Sequence, residues 1–146
     1  MPYPLLDISK KNEKYYRKIW KENYCNSENL IYTFDNIRVK FYEDMFDHAF
    51  FESANRKMKD KSILSFKRLK KMLWIKDVLN DANAIVKQGW MRDKKKYTRS
   101  RRVALVKDNY IVIIRIINLN TAKFLTAYEI DNNENLNKIL NSPDWK

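Results

Sequence analysis

The sequence predicts an α+β fold, and three observations carry that reading. Apolar residues recur at helical spacing between Lys10 and Tyr24, a hairpin pattern runs from Leu30 to Phe41, and three apolar runs beyond Arg102 are separated by short polar turns. The chain has 146 residues, of which 45% are hydrophobic and 14% aromatic, which suits one domain with one core and argues against global disorder.

Taken in order, the first element is an amphipathic helix in which Tyr15 or Tyr16, Ile19, Trp20 and Tyr24 form the apolar side. Residues 30–34 and 37–41 then flank Asp35-Asn36, and Ile37, Val39 and Phe41 alternate with Arg38 and Lys40, the pattern of a hairpin with one wet face. Residues 42–53 are aromatic and acidic without a clean period, so their structure stays open. Ser65 is a plausible cap for a helix over 66–80, with Phe66, Leu69, Met72, Leu73, Ile75 and Leu79 on a broad apolar side and Lys67, Lys70 and Lys71 mainly opposite. A short helix over 81–87, closed by Gly89, is expected next. A polar, basic stretch over 90–102 leads to strands over 102–106, 110–117 and 122–130, an antiparallel meander. A final helix over 133–140 is expected to bury Leu136, Ile139 and Leu140.

The distribution of charge says more than its total of +12. Residues 1–55 carry 8 Lys and Arg against 9 Asp and Glu, a net of −1; residues 56–102 carry 17 against 4, a net of +13; residues 103–146 carry 5 of each. Drift in composition would spread along the chain, so this concentration favours an anionic partner, nucleic acid first. Lys94 to Arg102 interleaves a tyrosine and hydroxyls with cations, as a surface that tracks a phosphate backbone would; a solvated charge run explains it equally well.

Several chemistries are poorly supported. One glycine, Gly89, is too few for a Gly-rich phosphate loop or a nucleophile elbow, and one histidine with one cysteine is a poor donor set for a metal. Cys25 alone makes no intrachain disulfide, which fits a reducing compartment, and with no apolar run near ~20 residues the expected location is cytoplasmic, without a membrane. Metal-free cleavage of RNA remains open, since the 2′-hydroxyl supplies the nucleophile and the protein need only move a proton and stabilise charge on phosphate. His48 is the default proton carrier, although a packed histidine among aromatics is the commoner reading. On the last strand Phe124, Thr126, Tyr128 and Ile130 should share one face, which makes Thr126 and Tyr128 neighbours able to donate to one phosphate; strand propensity alone also explains both. Arg115, within an apolar strand, must be solvent-facing or paired.

The residues Asp47-His48-Ala49-Phe50, Ser65-Phe66 with Arg68 leading to Leu73-Trp74-Ile75, the basic middle and the closing run Phe124-Leu125-Thr126-Ala127-Tyr128 resemble the phage-associated ribonuclease toxins that share a fold with barnase, EndoU, tRNA-cleaving colicins and RelE. The resemblance implies N-terminal helices packed on an antiparallel sheet of about four or five strands, with a ribonuclease-like core over about 30–130 of a single domain spanning 1–146. It also implies metal-independent RNA cleavage with no cofactor, His48, Thr126 and Tyr128 in the active site, and a cation from Arg68, Lys67 or the Arg99, Arg101 and Arg102 cluster. Lys67, Lys70 and Lys71 with Arg99, Arg101 and Arg102 would hold RNA, and an acidic antitoxin or inhibitor would be the protein partner. The alternative is a non-catalytic nucleic-acid-binding phage accessory protein that uses the basic segment 56–102.

Overall fold

The computed structural model describes residues 5–9, 12–28, 30–52, 63–106 and 109–145. The described residues form α1 (Glu13–Tyr24), β1 (Ile31–Tyr32), β2 (Arg38–Lys40), α2 (Met45–Ala49), β3 (Phe51–Glu52), β4 (Ile63–Leu64), α3 (Phe66–Leu69), α4 (Trp74–Asn80), β5 (Ile85–Met91), β6 (Lys96–Val106), β7 (Tyr110–Asn118), β8 (Thr121–Glu129) and α5 (Asn133–Leu140). The fold is α+β, with an open six-stranded sheet in the order β1-β2-β8-β7-β6-β5 and a small ribbon of β3 and β4. The sheet is larger than expected and is mixed, because the first hairpin adds to its edge with β2 parallel to β8.

The first helix forms as its pattern predicts. Asn12 caps it by accepting from the Lys14 amide, and Tyr16, Trp20 and Tyr24 turn inward at four-residue spacing. Trp20 is the hub of the core, with its ring against those of Tyr24, Phe41, Phe50 and Phe124, while its Nε1 donates to the Tyr42 carbonyl at 3.1 Å. Tyr24 Oη donates to the Met72 carbonyl at 2.6 Å and accepts from the Lys76 amide at 3.2 Å, tying α1 to the start of α4. Burial pushes the Tyr24 phenol well above its ordinary pKa, so it remains a donor.

Three expectations need correction. The helix over 66–80 is two helices: Ser65 does cap α3, accepting from the Arg68 amide at 3.3 Å, but Lys71, Met72, Trp74 and Ile75 bond back to carbonyls only three residues earlier, and this tighter winding separates α3 from α4. Residues 81–87 do not form a helix; β5 begins at Ile85, and Gly89 lies within that strand. There the β5–β6 register breaks, with Gln88 opposite Arg102 but Gly89 opposite Thr98. A Cβ on Gly89 would stand 2.6 Å from the Arg101 Cβ, so glycine is required by close approach and not by a helix end.

Layering follows from which side of each strand is apolar. One face of the sheet, through Ala104, Val112, Ile114, Ala122, Phe124 and Ala127, packs under α1 to α4. On the other face Val103, Leu105, Ile111 and Ile130 form a smaller cluster with Leu136 and Ile139 of α5, which are half-buried, while Leu140 is exposed instead of buried. The β5 edge is covered by the C-terminal tail, where the Gln88 amide donates to the Pro143 carbonyl and the Trp145 amide to that of Val86. No helix among the described residues is long and apolar enough to cross a membrane.

Candidate nucleic-acid interface

The last strand sets the geometry. Ile113 pairs with Thr126 but Ile114 with Phe124, so Leu125 is an extra residue that breaks the alternation. Phe124 and Ala127 therefore both enter the helix-covered core, and Phe124 does not share a face with Thr126 and Tyr128 as simple alternation requires. Thr126 and Tyr128 remain together on the opposite, open face.

Pairing across β6, β7 and β8 arranges that face in rows. Arg101, Arg115 and Lys123 form the first, Val103, Ile113 and Thr126 the second, and Leu105, Ile111 and Tyr128 the third. Like charges placed opposite one another in a sheet repel. Among the described residues no carboxylate pairs with these three cations, and the Lys123 ammonium instead lies 5.4 Å from the centre of the Tyr42 ring.

Beyond its pairing with β2, β8 is flanked by α2 and α3. His48 on α2 is exposed and lines a groove of about 450 Å³ with Arg101, Lys123, Thr126, Ile113 and Asp44. Arg68 on α3 joins the two elements, since its guanidinium donates to the Ala49 carbonyl at 3.2 Å and lies 5.2 Å from the centre of the Tyr128 ring. Tyr128 lines a second groove, about 700 Å³, with Arg101, Trp90, Tyr97, Arg92 and Lys138. Arg101 and Ile113 line both, so the two grooves adjoin on this face.

His48, Thr126, Tyr128, Arg68 and Arg101 are thus brought to one side of the molecule, whereas Lys71 and Arg102 are drawn into its interior. Lys71 is 9% exposed, bonded to Glu129 and set 4.4 Å from the centre of the Trp74 ring; the turn after α3 rolls it inward from the wet side where the helix pattern placed it. Arg102 is 2% exposed, donates to both oxygens of Asp35 at 3.0 and 2.9 Å, and lies between Phe34 and Trp145. Both are structural cations, because burial leaves them no surface to offer a phosphate. Arg99 is exposed, with its guanidinium 6.0 Å from the centre of the Trp145 ring that Arg102 also contacts. Lys67 is exposed and bridges to Glu129 and Asp131, and Lys70 is exposed on the same helix end. Residues 56–62 of the basic segment lie outside the described residues.

The Arg101, Arg115 and Lys123 row was not foreseen. Arg101 was expected from the basic run and Arg115 was noted as a charge in an apolar strand, but joining them with Lys123 requires the register of three strands. Among the described residues no three His, Cys, Asp or Glu side chains cluster to hold a metal ion. No family model, curated protein or solved structure matches the chain.

Proposed function

We propose that this protein is a metal-independent endoribonuclease of the barnase, EndoU, colicin and RelE-like kind, acting as a toxin on RNA. The observation that carries the reading is the open face on which the His48 imidazole shares a groove with a hydroxyl, Thr126, and with Arg101 and Lys123, two cations of a row that no carboxylate pairs among the described residues. In this reading the row holds successive phosphates and raises the local concentration of polyanion. His48 takes the proton from a ribose 2′-hydroxyl, whose oxygen attacks the adjacent phosphorus. The bond to the 5′-oxygen breaks, leaving a 2′,3′-cyclic phosphate, and the departing oxygen takes a proton from Tyr128 or from water. Arg101 and Thr126 stabilise the charge that builds on the non-bridging oxygens. Arg68 positions Tyr128 by covering its ring. An acidic antitoxin would occupy the same row.

A second reading is a nucleic-acid-binding protein without catalysis, favoured by His48 being the only histidine, so that no second imidazole can serve as the acid. Binding and cleavage of a labelled RNA by three variants separate the two. His48→Ala is expected to abolish cleavage and leave binding within about twofold. Arg115→Ala and Lys123→Ala are expected to weaken binding and each to reduce its salt dependence by ~0.7 in log–log slope. Cleavage undiminished by His48→Ala overturns the catalytic assignment, and binding unaffected by either cation overturns the site.

A further inference from the structure

The open face carries a second feature that phosphate binding leaves unexplained. Trp90 and Tyr97 face each other directly across the β5–β6 hairpin, their ring centroids 5.1 Å apart at 73°. An edge-to-face pair of this kind helps to pin a hairpin. Yet Trp90 remains 49% and Tyr97 38% exposed, a large apolar area to leave in water. Both line the larger groove with a third aromatic, Tyr128, and with Arg92, Arg101 and Lys138. The groove therefore combines three aromatic rings with three cations and shares Arg101 with the adjoining His48 groove.

That combination has one well-matched ligand. Aromatic faces on a sheet stack with bases that are not already stacked, and interspersed cations follow the backbone between them. A duplex hides its base faces and offers the sheet only phosphates and groove edges. We propose that this groove binds unpaired bases, with Trp90 and Tyr97 as the stacking platform, so that the substrate is single-stranded RNA. The Gly89 position fits, because the irregular β5–β6 pairing that places Trp90 opposite Tyr97 also packs Arg101 against the bare Gly89 backbone. This names the substrate class of the proposed ribonuclease and rests on that reading.

The test uses the full chain and a 2′-O-methyl RNA strand of about 12 nucleotides, within the span such grooves cover, which lacks the nucleophile and so reports binding alone. Its affinity is compared with that of the same strand annealed to its complement. The single strand is expected to bind roughly tenfold tighter than the duplex, Trp90→Ala to lose roughly tenfold for the single strand, and Trp90→Phe to keep most of the affinity. Thermal melting of each variant establishes that it is folded. Equal affinity for the duplex, or a folded Trp90→Ala that binds the single strand like wild type, overturns the proposal. Failure of the cleavage reading looks different: Trp90-dependent binding of the modified strand would persist while unmodified RNA stays intact.

Discussion

Arg102 and Asp35 join β6 to the turn of the first hairpin, and their pairing makes acid stability depend on one carboxyl. Burial alone would raise the Asp35 pKa, but the Thr33 hydroxyl and the Arg102 guanidinium more than offset it and hold the carboxyl below its ordinary value. A carboxyl lowered on folding contributes stability that is fully present above its unfolded pKa of about 3.9 and is lost as pH falls through the folded value. Removing the carboxylate also strands a buried cation. Asp35→Ala is expected to cost about 3 kcal/mol at neutral pH by urea denaturation, the low end for a buried pair because Asp35 is one-third exposed, and to flatten the acid limb of the stability profile. Gly89→Ala forces a Cβ against Arg101 and is expected to cost about 1–3 kcal/mol in the same assay while weakening RNA binding. At this scale His48, Thr126, Tyr128 and Arg68 were legible as types suited to phosphate chemistry, but Lys71 and Arg102 were not legible as buried. Sequence reports that a residue is charged, and only packing reports which charges have partners.

Whole elements were legible where one periodicity ran uninterrupted. The α1 face, the first hairpin, the last two strands of the meander and α5 all formed near their expected bounds, because capping residues and alternating patterns act locally, whereas β6 begins at Lys96, inside the stretch read only as polar and basic. Expectations failed where a local irregularity changes the phase. The tightened turn between α3 and α4, the extra Leu125 in β8 and the irregularity at Gly89 each re-aim the side chains that follow, and none has a strong local signature. The cap of α3 also bears on the site, because that helix carries Arg68 to Tyr128. Ser65→Ala removes the oxygen that accepts from the Arg68 amide, so a loss of about 1 kcal/mol in thermal unfolding is expected. A folded Ser65→Ala protein of unchanged stability would show that the cap is not holding α3.

For the molecule as a whole, the sheet separates two tasks. Its helix-covered face holds the aromatic core around Trp20, while its other face, covered at one end by α5, leaves cations, hydroxyls and aromatic rings in adjoining grooves. The concentration of basic residues in the middle of the chain pointed to an anionic partner. The row of cations on the open face, however, draws Arg101 from that segment and Arg115 and Lys123 from beyond it, since strand register and not chain position decides which charges meet. The most direct test of the account is incubation of wild type and His48→Ala with labelled total RNA in excess EDTA, followed by analysis of fragment ends. Wild type alone is expected to cut, leaving 2′,3′-cyclic phosphates. RNA left intact by both proteins, or cutting that requires magnesium, would contradict it.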